Sequence, residues 1–183
     1  MIVETIITSV SKSGSLNIAP FGIKRNPKFI YISPYIPSKT LQNLRETNVA
    51  VINYLDNSEV FVNCIIGENN ILKKKKCRKI NCFFIQESMS YEEVEVVSVK
   101  EDDIRPVFRC KIVNSEINKP YKGLNRANNA IIEACILASR IKILKSEKII
   151  NELKYLSIAV EKTAGKKEMK SWKKINKFIM ERI

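Results

Sequence analysis

An α+β fold is predicted for this 183-residue chain: a β-barrel or sandwich followed by a group of helices. Three observations predict it. Apolar residues over the first two thirds fall in short β-rich runs interrupted by Pro, Gly and Ser. From residue 125 the apolar period becomes 3.6. Strands come first and helices afterwards, without the alternation that builds a parallel sheet. With 45% apolar residues the chain is long enough to bury a full core.

The elements follow in order. Ile2, Val3, Ile6, Ile7 and Val10 form a strand, and Ser13-Gly14 a turn. Leu16 to Ala19 resumes as a strand that stops at Pro20, with Gly22 just beyond. Phe29 to Ile32 is a buried-type strand ended by Pro34 and Pro37. A short helix opens at Ser38 and Thr40, Val49 to Leu55 is a strand, and Val60 to Ile66 is a strand or a short helix. Val94–Val99 and Val107–Val113 read as a long antiparallel pair joined through Glu101-Asp102-Asp103. Ala127, Ala130, Ile131, Ala134, Leu137, Ala138, Ile141 and Leu144 keep i, i+3, i+4 spacing and mark a helix. A second helix is capped by Ser146 and ends near Gly165. A third covers 166–181, with Met169, Trp172, Ile175 and Ile179 on one face and lysines on the other. The division is therefore 1–118 for the β domain and 119–183 for a helical subdomain packed on it.

Composition excludes much chemistry. The chain has no histidine, so it has no Ser-His-Asp triad, no Cys-His pair and no imidazole-ligated metal. Neither G-x-G-x-x-G nor G-x-x-x-x-G-K-[ST] occurs. Ser-x-x-Lys appears at Ser9/Lys12, Ser139/Lys142 and Ser171/Lys174, as chance allows in a chain this rich in both residues. Cys64, Cys77, Cys82, Cys110 and Cys135 are odd in number and scattered. With no export segment recognised at the start and no long apolar run, they are expected to be reduced, packed thiols in a cytoplasmic protein. The formal charge of +13 is uneven: residues 1–70 carry a net +1, 71–80 carry +6, 81–118 carry −4, and 119–183 carry +10. Glu92-Glu93-Glu95 reads as a solvated strand edge, and Lys73–Lys79 as an exposed loop, with phosphate-backbone contact as its minority reading. The lysine-rich last helix has a membrane-surface or RNA alternative beside that of a solvated amphipathic helix.

The segment 14–56 concentrates the chemistry. Asn17-Ile18-Ala19-Pro20-Phe21-Gly22 ends a strand in a residue without an N–H and one without a side chain, which lets a backbone or flat ligand approach. Ser33-Pro34-Tyr35-Ile36-Pro37-Ser38-Lys39-Thr40 leads through a proline-stiffened loop into a helix N-terminus. Its free N–H groups, helix dipole and lysine suit a phosphate. Val51-Ile52-Asn53-Tyr54 places one amide in an apolar strand. Each has a plainer alternative: Ser38 and Thr40 as helix caps, Asn17 as a turn residue, Asn53 as a satisfied buried amide, Pro20 and Gly22 as a strand end.

In their order and spacing these segments resemble the FMN-binding split barrel of the flavin reductase-like proteins, and most closely the archaeal "domain of unknown function 447" family. The likeness extends over Asn125-Arg126-Ala127 to Arg140 and over Val160 to Gly165. It implies a Greek-key split β-barrel with a C-terminal helical subdomain, a homodimer, and FMN held non-covalently near the dimer interface. Asn17, Ile18, Ala19, Pro20, Phe21 and Gly22 would line the isoalloxazine. Ser38, Lys39 and Thr40 would hold the phosphate, Asn53 would bond the cofactor from a neighbouring strand, and Ser33, Pro34 and Tyr35 count among its contacts. The Lys73–Lys79 stretch departs from the family, as does Ala164-Gly165 in place of a double glycine. Flavin brings its own hydride chemistry, so a chain without histidine or nucleophile suits it. No residue is assigned as catalytic and no metal is expected. The expected function is an FMN-binding flavoprotein, with NAD(P)H-dependent flavin reduction or another small-substrate oxidoreduction as its activity. An FMN carrier or sensor without turnover and a basic nucleic-acid-binding module are the alternatives.

Overall fold

The computed structural model describes all residues, 1–183. It falls into two compact units, Met1–Leu55 with Leu72–Tyr121, and Asp56–Ile71 with Lys122–Ile183. The excursion Asp56–Ile71 thus groups with the later helices, which a linear division after residue 118 does not anticipate.

The first unit is a closed six-stranded barrel with a hairpin. Its strands are β1 (Ile2–Val10), β2 (Leu16–Arg25), β3 (Phe29–Ile32), β4 (Val49–Tyr54), β7 (Ser90–Lys100) and β8 (Val107–Ile117). Their order is β1-β2-β3-β8-β7-β4, with β4 returning to β1. Every neighbouring pair is antiparallel. Between β4 and β7 in sequence, β5 (Lys74–Lys76) and β6 (Phe83–Ile85) pair as a separate two-stranded ribbon. The barrel interior is apolar, built on Ile7, Ile23, Ile30, Ile32, Ile52, Val94 and Phe108 with Leu41 and Leu44 of α1 (Lys39–Thr47). Each such side chain contributes about 1.5–3 kcal/mol relative to exposure. Where β2 and β4 end, the partly exposed Arg25 bonds Tyr54 (2.9 Å) and Glu92 (3.2 Å), and the Tyr54 hydroxyl donates to Glu92 at 2.5 Å. Burial, with Glu92 beside it, pushes the Tyr54 phenol up.

The ribbon covers part of the barrel's outer face, where Val10, Val51 and Tyr91 meet Ile80 and Cys82. Phe84 stacks on Tyr91 with ring centroids 4.1 Å apart. Lys73–Lys79, expected as a loop, is therefore partly a strand, because three of its lysines pair against Phe83–Ile85.

Two other local expectations change. Pro20 does not end β2; it sits inside it, opposite Ile6. The strand meets β3 only at Lys24 and Arg25, so a missing N–H at Pro20 costs no ladder bond on that side. Glu92 and Glu93 are not solvated but buried.

The second unit is helical. It contains α2 (Ser58–Ile66), α3 (Arg126–Ser139), α4 (Ser146–Thr163) and α5 (Lys166–Met180). The ambiguous run Val60–Ile66 resolves as helix because Asn57 caps Glu59 N–H at 3.0 Å and Gly67, at φ 85°, ends it. Asn125 caps α3, which stops at Ser139, short of Ile141 and Leu144. Ser146 is the first residue of α4 rather than its cap; Lys145 holds that position without a side-chain bond. Trp172, Ile175 and Ile179 of α5 are buried. All five cysteines are unpaired, and burial pushes the thiols of Cys64, Cys110 and Cys135 up to about 12. No helix is long and apolar enough to cross a membrane.

Candidate functional site

The two motifs that the sequence separates by some twenty residues meet at the start of α1. Ser38, in extended backbone, accepts the Leu41 N–H on Oγ at 3.3 Å. Asn17 on β2 donates its amide to Thr40 Oγ1 at 2.9 Å. Asn43, one turn on, donates to Ser9 Oγ of β1 at 3.0 Å. The first turn is thus pinned to the barrel through β2 and its second turn through β1. The N–H groups of Lys39 and Thr40 keep no acceptor within the chain, as the opening of a helix dictates. Lys39 is exposed beside them and Thr40 is buried. These donors, the dipole's positive end and one ammonium have the chemistry of a candidate anion cradle. Ser38's hydroxyl is spent on the cap, so it adds order to the cradle rather than a free donor.

The approach loop is held from the end of the neighbouring strand β8. Arg105, in the connection between β7 and β8, donates from Nε and Nη2 to the Ser33 carbonyl at 3.1 and 2.9 Å. Its guanidinium lies 4.3 Å over the Tyr35 ring, a cation–π contact. Ile36 N–H bonds the Ile104 carbonyl at 3.0 Å. Asp102 accepts the N–H groups of Arg105 (2.7 Å) and Ile104 (2.9 Å), and these hold its carboxyl below the usual range. The acidic turn expected at 101–103 is therefore also the anchor for Arg105. Sequence reasoning missed Arg105 because its partner is a backbone carbonyl 72 residues away. Pro34 is buried, while Tyr35 is 59% exposed.

Along β2, Ile18 is buried and Ala19, Pro20, Phe21 and Gly22 are half-buried. Phe21 packs against the barrel core, and its carbonyl accepts Thr5 Oγ1 at 3.0 Å. At Gly22 the close approach is made by β1 itself: an added Cβ would lie 3.0 Å from both Glu4 Oε1 and Ile2 Cγ2.

Asn53 is not brought to this surface. It is fully buried; its amide donates to Ile6 O at 3.0 Å and Thr8 Oγ1 at 3.3 Å, and its Oδ1 accepts from Ile85 N at 2.8 Å and Ser88 Oγ at 3.1 Å. That saturates the amide. The satisfied-amide alternative describes it, and its work is to pin β6 to the barrel. Asn53→Ala is expected to cost about 2–4 kcal/mol by stranding buried partners, read by urea unfolding. The folded fraction should keep its ligand affinity; a loss of affinity with unchanged stability would return Asn53 to the ligand site.

The closed antiparallel barrel with this strand order has the split-barrel fold also seen in flavin reductases. The chain belongs to the family described as protein of unknown function (DUF447), matching its N-terminal domain over residues 3–119 and its second domain over residues 125–177. It is similar to an FMN-bound protein of that family from Methanosarcina mazei, with a TM-score of 0.80 at 20% identity over 97% of this chain and 94% of that one. It is also similar to a flavoredoxin from Methanosarcina acetivorans (TM-score 0.57, 16% identity, 66% of this chain, 74% of that one). The 2-nitrobenzoate 2-nitroreductase of Pseudomonas fluorescens shares the fold as well (TM-score 0.55, 18% identity, 62% of this chain, 64% of that one). No curated protein matches the sequence.

Proposed function

We propose that this protein binds FMN non-covalently and serves as a flavoprotein of small-substrate redox chemistry, with NAD(P)H-dependent flavin reduction as its activity. The observation that carries the reading is the Asn17–Thr40 hydrogen bond, which joins two distant motifs at a helix N-terminus with unused N–H donors. A flavin phosphate carries about −1.5 to −2 charge and meets there the dipole end and Lys39. Asn17 orients Thr40, Ser38 orders the turn, and the Arg105 clamp on Ser33 fixes the path into it. Ala19 and Pro20 offer half-buried strand positions with little side-chain bulk for the ring. Tyr35, one face covered by Arg105, offers the other. FMN supplies hydride and single-electron transfer when bound.

The FMN-bound relative supports the choice of cofactor. A homodimer is part of the proposal, supported by the exposed apolar group Tyr35, Ile36 (44%) and Ile104 (65%) beside the loop. The absence of disulfides fits a reducing compartment, the cytoplasm. Titration with FMN should give one flavin per chain and a micromolar or tighter dissociation constant, about −8 kcal/mol. A protein that leaves FMN free at those concentrations overturns the reading. Steady-state NAD(P)H oxidation by the loaded protein then separates a reductase from a carrier.

A further inference from the structure

We infer that the Lys73–Lys79 hairpin is a docking surface for the phosphate backbone of nucleic acid, independent of the flavin reading. The segment places six cations in seven residues. Arg78 pairs with Glu116 at 2.8 Å, whereas Lys73, Lys74, Lys75, Lys76 and Lys79 have no carboxylate partner. Lys73, Lys75, Lys76 and Lys79 are exposed.

The array is built, not loose. β5 is the outer strand of its ribbon, paired only with β6. Gln86 N–H closes onto Lys73 O at 2.9 Å and Cys77 N–H onto Cys82 O at 3.0 Å, extending the ladder at both ends. At the tip, Glu93 accepts three successive backbone N–H groups, those of Arg78 (2.9 Å), Lys79 (2.8 Å) and Ile80 (3.0 Å). Thr8 Oγ1 donates to Phe83 O at 2.6 Å and Asn53 accepts Ile85 N–H, so β6 is fixed to the barrel. The backbone that carries the lysines is thus ordered before any partner arrives, which lowers the cost of binding.

Nucleic acid fits better than an acidic protein. Protein interfaces are depleted in lysine and depend on apolar anchors at their centre. Here the neighbouring aromatics Phe83 and Phe84 pack towards the barrel. What remains outside is charge alone, which is what a phosphate backbone requires. Alternate lysines on a strand stand about 6.6 Å apart, roughly two nucleotide steps at 3.4 Å per strand. A lysine or two would suffice to keep an edge strand from pairing with another chain; five unpaired ones exceed that need.

The test is fluorescence anisotropy of the full chain with a labelled 20-base-pair duplex between 50 and 200 mM KCl. With four or five phosphates neutralised, the log–log slope should be about −4 and affinity should fall a few hundredfold across that range. Replacing Lys73, Lys75, Lys76 and Lys79 together by Gln should reduce the slope to about −1 while circular dichroism stays unchanged. Lack of duplex binding at 50 mM KCl overturns the inference. So does an unchanged slope in a folded variant, or binding of polyglutamate at least as tight as that of the duplex.

Discussion

Glu93→Ala should lower the thermal midpoint by roughly 5–15 °C, the equivalent of about 2–4 kcal/mol in a chain of this size. Glu93 is fully buried on the barrel's outer face, yet no cation pairs with it. Its carboxylate is held by three backbone N–H groups at the ribbon tip and by Asn114 Nδ2 at 2.9 Å. Burial alone would raise its pKa; the bonds from Arg78, Asn114, Lys79 and Ile80 more than offset this and hold it below the ordinary glutamate value. The sign of the pH dependence follows. A carboxyl with a depressed folded-state pKa stabilises fully above the unfolded value of about 4.3 and loses that contribution as pH falls through the folded value. The midpoints of the wild type and Glu93→Gln should therefore differ most at neutral pH and converge below about pH 4. A difference that persists undiminished at low pH would show that the side chain's shape, and not its charge, holds the tip.

Glu93 also shows where sequence reading stops. A polar residue on a strand is judged by alternation, and alternation assigns Thr8, Asn53 and Glu93 to the face away from the barrel core. That assignment is right, but facing outward is taken to mean facing water, and the β5–β6 ribbon is what covers them. The cover is a long-range fact, carried by two strands of three residues with no periodicity to announce them. Pro20 follows the same logic, since its effect depends on which side of β2 is paired. By contrast β1, β3, β4, the β7–β8 pair and α3 to α5 were legible because a period of 2 or 3.6 is a local property. The site divides likewise. Thr40 and Lys39 were visible as a helix opening, whereas Arg105 was hidden because it grips a backbone atom. One signal was available: Glu92-Glu93 lies between Tyr91 and Val94, an apolar flank that a solvated edge does not need.

Lys39→Met should weaken FMN binding about ten- to hundredfold, the loss of one charge-assisted contact of about 1.5–3 kcal/mol. Lys39 is exposed and makes no ion pair in the fold, so the substitution has no structural partner to strand. Thr40→Val keeps side-chain shape but removes the acceptor that orients Asn17, and it should act in the same direction. Riboflavin separates the cradle from the ring site because it has the isoalloxazine and no phosphate. If α1 holds the phosphate, the wild type prefers FMN over riboflavin, Lys39→Met erases most of that preference, and riboflavin affinity is unchanged. Added salt should weaken FMN binding to the wild type more than to the variant, since the exposed ammonium is screened within about 8–10 Å at physiological ionic strength. Equal losses for both flavins would place Lys39 against the ring, and no loss for either would move the phosphate away from α1. Arg105 is then the next cation to replace, because it already reaches the loop that enters the cradle.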